Sequence, residues 1–372
     1  MDEFDFIIIG GGMAGVSAAA FMAPLGKTLL LERESALGTH STGRSAAMFY
    51  QNYGAPPVRA LNRASLPFFT SPPPGFSTTA LLTPAGVLMF ARPGDERLFD
   101  DYLADPDRAA TAAFITPDEA CAKVPILYRD HIAAAIFEAD VCDLDVDLIL
   151  QGFRRTARAA GAQFRVNSGV NAISRNKGWQ VDTPSGEARA PVLVNAAGSW
   201  CDEVAQLAGL APLGLAPKRR TAFTVAAPGG VSTRGWPMVV DVQESFYFKP
   251  DAGHVLVSLA DEAESPACDA WPRDEDVATA VDRVQQIANF PVERIISQWA
   301  GLRSFMPDRV PCLGFDPAAE GFFWVAGQGG YGIQTSPAMG RLAAALASGH
   351  GAPQDIIDCG LDLRALSPAR FR

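Results

Sequence analysis

Phe4-Asp5-Phe6-Ile7-Ile8-Ile9 runs directly into Gly10-Gly11-Gly12-Met13-Ala14-Gly15, and Leu29-Leu30-Leu31 ends in Glu32. The order is a buried strand, a G-x-G-x-x-G turn, a helix, a second strand and an acid, as a dinucleotide site requires. Gly10 permits the tight turn, Gly12 lets the backbone approach a pyrophosphate, and Gly15 allows close helix–strand packing. The helix that opens with Met13 and Ala14 offers free N–H groups and positive dipole charge to phosphates. Glu32 stands where a carboxylate can bind a ribose diol, and its charge would repel a 2′-phosphate, which argues against NADP. Glycines also make ordinary turns, so the context matters. The strand is apolar on both faces, as a central parallel strand should be, and the small residues Ala18, Ala19 and Ala20 precede a stop at Pro24 and Gly26.

The 372 residues suffice for two domains with proper cores. A hydrophobic fraction of 48% and a charged fraction of 19% are those of a soluble globular protein. The net charge of −10 argues against nucleic acid or an anionic membrane surface as partner. No apolar run approaches the ~20 residues of a membrane span. The start, Met1-Asp2-Glu3, lacks the basic segment of a signal peptide, so the expected location is the cytoplasm. Six cysteines without a C-x-x-C pair and four scattered histidines predict free thiols and no metal cluster.

Farther along, Thr39 to Ala47 reads as a polar loop entering a small-residue stretch, and Leu81 to Phe90 as strand. Short helices are expected over 95–104 and 117–123, an amphipathic helix over 147–160, and strands near 163–173, 178–183 and 191–196. Alternating strand follows from Thr221 to Leu259, then a helix over 274–290, a buried strand over 321–327 and a last helix over 337–348. α/β character therefore returns twice after β-rich segments. The expected fold is α/β (α+β overall). A Rossmann-like nucleotide domain comprises 1–84, 144–216 and 320–372, and an inserted mixed or antiparallel β-sheet substrate domain comprises 85–143 and 217–319.

A second glycine cluster, Gly327-Gln328-Gly329-Gly330-Tyr331-Gly332, also follows a strand. Too little chain remains after it for another complete nucleotide domain. It suits a close backbone approach to a flat cofactor, capped by the N-terminus of a helix from Ile333 onward. A helix N-terminus aimed at the N1 and O2 side of a reduced flavin would stabilise its negative charge. The alternative is a plain strand-to-helix turn. Two clusters at opposite ends of the chain suggest FAD, one for pyrophosphate and one for isoalloxazine.

The N-terminal fingerprint with Glu32, Ser41-Thr42-Gly43-Arg44-Ser45-Ala46-Ala47, Val194 to Cys201, Ala300 to Phe305 and Trp324 to Thr335 together resemble the D-amino-acid oxidase family of FAD enzymes, which includes glycine and sarcosine oxidases. Within that family, Pro217-Lys218-Arg219-Arg220 and Glu244 to Pro250 look most like bacterial D-arginine dehydrogenases. The resemblance implies that Gly10, Gly12, Met13, Ala14, Gly15, Glu32, Arg33, Ser41, Thr42, Arg44, Ser45, Val170, Ala197, Gly198 and Trp200 hold the adenosine and pyrophosphate side. Ala47 and Met48, with Gly329, Gly330, Tyr331, Gly332, Ile333, Gln334 and Thr335, would line the flavin. Tyr53, Arg220, Tyr247, Arg303 and Gly330 would receive the substrate. Ser304-Phe305-Met306 stands before Pro307-Asp308 where covalently linked members carry a cysteine, so FAD is expected to be non-covalent.

Arg303 lies among Trp299, Ala300, Leu302 and Phe305, and a guanidinium there needs an anion; a substrate carboxylate suits its fork, and an internal salt bridge is the alternative. Arg220 follows Lys218 and Arg219, so a solvated basic face competes with a second carboxylate contact. Tyr247 shares a strand face with Ser245 and Lys249. Lys249 is either a group near the flavin that assists reaction with oxygen or a peripheral charge. A hydride can leave Cα for flavin N5 once the amine is neutral, so positioning does most of the work. Where D-arginine dehydrogenases present a carboxylate and a histidine, this chain has Val87 and Met48; with Met238 and Val240 they predict an apolar pocket that disfavours cationic side chains.

The resulting expectation is oxidation of neutral D-amino acids to imino acids, then to 2-oxo acids and ammonia, with a quinone, an electron-transfer protein or oxygen as acceptor. A glycine- or sarcosine-type secondary-amine oxidase, a 2-hydroxy-acid oxidoreductase of the same family, and a non-catalytic FAD-binding subunit are the alternatives.

Overall fold

A computed structural model describes residues 1–229 and 231–372. Its first sheet has six strands in the order Gln163–Arg165, Thr28–Leu31, Phe6–Ile9, Val192–Asn195, Phe322–Ala326 and Cys312–Phe315. The first five run parallel and the last is an antiparallel edge. The apolar run from Phe6 to Ile9 makes sense in this position. Phe6 and Ile8 pack with the helices Met13–Met22, Val146–Ala159 and Ser336–Ala347. Ile7 and Ile9 point the other way, into a core shared with Cys201–Leu207 and a small sheet that includes Trp179–Thr183.

The second sheet has nine strands, among them Val87–Ala91, Ala134–Glu138, Ala216–Ala226, Met238–Asp241, Tyr247–Asp251, His254–Ser258 and Ile295–Phe305. Helix Asp274–Ile287 covers one of its faces, burying Val277, Ala280, Val284 and Ile287. Phe246 and Phe248 belong to that core, whereas Tyr247 faces the other side. A three-stranded sheet of Met48–Phe49, Leu82–Pro84 and Cys142–Leu144 completes the structure.

Several expectations shift. The strand anticipated over Leu81 to Phe90 is two strands in two sheets, broken at Gly86, whose φ of +77° suits glycine. The stretch 163–173 is likewise interrupted, since Asn167 takes a φ of +50°. Cys312–Phe315, assigned from sequence to the inserted portion, pairs with Phe322–Ala326 in the first sheet. A 15-residue helix, Pro56–Thr70, was not anticipated; its paired prolines occupy the first turn, where no intrahelical N–H is needed. No helix among the described residues is long and apolar enough to cross a membrane.

Candidate active site

The first glycine cluster shows three different constraints. A Cβ on Gly15 would lie 2.0 Å from the Gly10 carbonyl oxygen, so helix and turn touch through backbone. Gly10 has φ +110°, and a Cβ there would lie 2.3 Å from the Ala196 oxygen, just past the neighbouring strand. Gly12 is different: in its extended conformation, a Cβ would meet only the Thr42 Oγ1, at 3.4 Å. The space above Gly12 is cavity. Thr42 Oγ1 also accepts a 3.0 Å hydrogen bond from the Met13 N–H, capping the helix from another loop. Glu32 is oriented by the Gly11 and Glu34 N–H groups, at 2.6 and 2.8 Å.

From this turn a long cavity runs to the second glycine cluster. Among the sequence-predicted residues, Gly10, Gly12, Met13, Ala14, Glu32, Arg33, Ser41, Thr42, Arg44, Ser45, Val170, Ala197, Gly198, Trp200, Gly329, Gly330, Gly332 and Ile333 line it. The Arg33 guanidinium lies 3.9 Å from the Trp200 ring centroid at one end. Three of the predicted cofactor residues, Gly15, Tyr331 and Thr335, line neither this cavity nor the one that opens from it. Gly15 serves packing, and Thr335 is fully buried with its hydroxyl donated to the Tyr331 oxygen at 2.9 Å. Tyr331 packs its ring against Tyr53 and Phe305. Arg44 lines the cavity but donates to the Ala270 and Ala300 carbonyls and pairs with Asp269, so its guanidinium ties loops together. The last helix begins at Ser336, within one residue of the span 337–348 but three residues after the N-terminus expected at Ile333, because Gly329 to Thr335 form successive turns. Its Ala338 N–H is taken by the Ser65 Oγ at 3.2 Å. The anticipated helix N-terminus beside a flavin is therefore replaced by the turn backbone itself.

A second cavity opens from the first. Arg220, Tyr247, Arg303, Gly330 and Ile333 line both, and Ala47, Met48, Tyr53, Met238, Val240 and Gln334 line the second. The two arginines come together through sheet register. Arg220 pairs with Gly301 and Lys218 with Arg303, which makes Arg220 and Arg303 diagonal neighbours on one face. Arg303 lies against Gly330, where a Cβ would stand 3.1 Å from its Cζ and Nη1. No carboxylate of the described residues comes within 4.0 Å of the Arg303 guanidinium. The internal salt bridge considered for Arg303 is thus absent among them. Arg220 has more partners: its Nε donates to the Asp261 carbonyl at 2.8 Å and Nη2 lies 3.5 Å from Glu262. Burial, and then the Arg303 charge beside it, hold its affinity for a proton below the usual arginine value. Two adjacent guanidiniums at the mouth between cavities call for an anion.

Tyr53 stacks on Tyr50 at 5.8 Å, and burial together with the Glu244 charge pushes its phenol up to about 12. Lys249 is buried and paired with Asp143, facing a third cavity that Met48 also lines. It is neither a peripheral charge nor a group of the Arg303 cavity.

The expectation of an apolar pocket needs correction. Val87 does not line it; the residue is 1% exposed, within the core, opposite Glu138 and Met238 on neighbouring strands. Met89 lines the cavity instead, and Arg108, Glu244, Asn52 and Tyr102 bring polar groups that sequence reasoning missed. Behind them Glu138 is buried, accepting from Tyr50, from Tyr102 at 2.7 Å and from Thr111 at 2.8 Å.

The cavity chemistry fits FAD. Beyond the open Gly12 backbone and the oriented Glu32, Gln328 and Gln334 each hold a buried amide Nε2 with no partner in the protein. The Gln334 Oε1 accepts from the Tyr50 N–H at 2.9 Å, which fixes the amide. Unpaired buried donors of this kind call for an acceptor in the space they line.

A family profile described as FAD dependent oxidoreductase, DAO, matches residues 5–346. Mitochondrial dimethylglycine dehydrogenase of Homo sapiens is 25% identical over 402 residues; the match covers 100% of this chain and 44% of that protein, so the chain spans less than half its length. The solved structure of glycine oxidase from Geobacillus kaustophilus superposes with a TM-score of 0.83 at 21% identity, covering 100% of this chain and 99% of that one. Iminodiacetate oxidase from Chelativorans sp. BNC1 gives 0.80 at 23% identity, over 98% of each chain. The two structural likenesses show the fold.

Proposed function

The chain belongs to the DAO family of FAD-dependent oxidoreductases, and from that premise we propose that it oxidises the Cα–N bond of an α-amino carboxylate, either a D-amino acid or an N-substituted glycine. One observation carries the reading: Arg303, without a carboxylate partner among the described residues, stands beside Arg220 and Tyr247 where the two cavities join. A bidentate carboxylate there leaves Cα and nitrogen at the opening to the FAD cavity. Bound FAD supplies the acceptor for two electrons. Arg303 and Arg220 neutralise the carboxylate, and Gly330 leaves room for the guanidinium to lie flat. Tyr53, with its phenol pushed up to about 12, stays protonated near neutral pH and donates a hydrogen bond without acting as a base.

D-amino acids come from the resemblance to D-arginine dehydrogenases in two short stretches, and N-substituted glycines from the likeness to dimethylglycine dehydrogenase and iminodiacetate oxidase. Release of ammonia with a 2-oxo acid identifies the first class, and release of glyoxylate with the substituted amine the second. FAD is held non-covalently on this reading, as no cysteine lines the cavity among the described residues. Replacing Arg303 with Lys keeps charge and removes the fork, so KM for amino carboxylates should rise about 10- to 100-fold with FAD content preserved. An unchanged KM would mean that Arg303 is not the anchor.

A further inference from the structure

Arg108 is a third guanidinium in the Arg303 cavity, and nothing in the reading above uses it. It sits in the short helix Pro106–Ala109, half-buried, with its Cζ 4.6 Å from the Tyr102 ring centroid. Its Nε is buried without a hydrogen-bond partner. The carboxylates around it are all engaged elsewhere. Asp105, which caps the same helix, pairs with Arg59 at 2.6 Å. Asp107 lies 3.4 Å from both Arg59 and Arg63. Glu138 receives hydroxyls from Tyr50, Tyr102 and Thr111. Among the described residues, no carboxylate comes within 4.0 Å of Arg108.

Among the described residues, the cavity wall thus carries Arg303, Arg220 and Arg108 against Glu244 alone. Glu244 acts on Tyr53 and Tyr331, on the Arg303 side. One substrate carboxylate at the Arg303–Arg220 pair would leave Arg108 with an unanswered charge in a partly desolvated space, which is unfavourable.

We propose that the substrate is an amino dicarboxylate whose second carboxylate is bound by Arg108. This rests on the amine-oxidation reading for the first carboxylate. The second carboxylate could belong to the side chain, as in D-aspartate and D-glutamate, or to a nitrogen substituent, as in iminodiacetate. Met48, Met89, Met238 and Val240 line the same cavity and offer apolar surface to the carbon skeleton.

The test uses the FAD-loaded enzyme. First, malonate, succinate and glutarate are compared with acetate and propionate for perturbation of the oxidised flavin spectrum. At least one dicarboxylate should bind about 10- to 100-fold more tightly than its monocarboxylate partner, the worth of a charge-assisted contact. Second, kcat/KM is compared for D-aspartate against D-alanine, D-glutamate against D-2-aminobutyrate, and iminodiacetate against sarcosine. The dicarboxylate should lead in one of the three pairs, and the pair in which it leads identifies the source. Arg108→Gln should reduce that ratio by about 10- to 100-fold, and Arg108→Lys should retain more of it. Equal binding of mono- and dicarboxylates to the parent, or a ratio unmoved in Arg108→Gln, overturns the assignment of Arg108. Oxidation of no amino carboxylate, with dicarboxylate binding intact, overturns the amine-oxidation reading instead.

Discussion

Replacing Gly12 with alanine should separate folding from cofactor binding. Gly12 has φ −77° and ψ −177°, a conformation any residue adopts, and the new methyl would meet only the Thr42 Oγ1 at 3.4 Å. Alanine restricts the unfolded chain, worth about 0.4–1 kcal/mol, and is a poorer N-cap by a similar amount, about 0.5–1 kcal/mol. The two nearly cancel, so the apoprotein should melt within a few degrees of the parent. The methyl points into the cavity, however, and holds a phosphate beyond the 2.7–3.2 Å reach of the backbone N–H groups. Losing two charge-assisted hydrogen bonds at about 1.5–3 kcal/mol each weakens FAD binding by about 10²- to 10⁴-fold. Gly15→Ala is the contrast: its Cβ would stand 2.0 Å from the Gly10 oxygen, so both folding and binding should fail. Apoprotein melting curves and FAD titration by flavin fluorescence quenching read the two effects. Parent-like FAD affinity in Gly12→Ala, or an apoprotein as damaged as Gly15→Ala, would falsify the reasoning.

Val87→Glu should not redirect specificity. It would bury a second carboxylate across from Glu138, costing about 3–5 kcal/mol, and a lowered melting temperature without altered substrate preference is the expected result. The Glu262 carboxyl is held down to about 2 from an ordinary 4.5, first by its hydrogen bond from Arg309 and then by the Arg309, Arg220 and Lys218 charges. Since the folded value is the lower one, its stabilisation is present above pH 4.5 and is lost as the pH falls towards 2. Urea midpoints between pH 5 and 3 should therefore fall less steeply in Glu262→Gln than in the parent. Mild denaturation should free all the flavin into the filtrate, and flavin that remains with the precipitated chain would contradict non-covalent binding.

The parts of the fold legible in sequence were those whose reason is local. The Phe6–Ile9 strand, its glycine turn and the helix after it follow from a contiguous pattern. So do the helix Val146–Ala159, capped by Asp145, and Pro117–Lys123, which opens with a capping box at Thr116 and Glu119. Gly10 is instructive in a different way: a tight turn explains it from sequence, yet the closest obstruction is Ala196, nearly two hundred residues away in the chain. Arg303 and Arg220 were recognisable individually, but their adjacency depends on the register of two long strands. Arg108 was invisible for a physical reason. Asp105 and Asp107 beside it suggest local pairing, and only the packing of Pro56–Thr70 shows that Arg59 and Arg63 take both acids. Val87 misled because it was carried over by position from the resemblance, and position along the chain does not say which face of a strand meets the cavity.

The central claim is that a carboxylate held at Arg303 presents an adjacent amine to the FAD cavity. The most direct measurement is anaerobic flavin absorbance in the purified enzyme, mixed with amino carboxylates and with the amines left when their Arg303-bound carboxyl is removed. Glycine is set against methylamine, sarcosine against dimethylamine, and D-alanine and D-aspartate against ethylamine and β-alanine. The account predicts bleaching by one or more amino carboxylates, faster by at least about 100-fold than by the matching amines. Equal bleaching by both members of each pair, or none by any amino carboxylate, would contradict it.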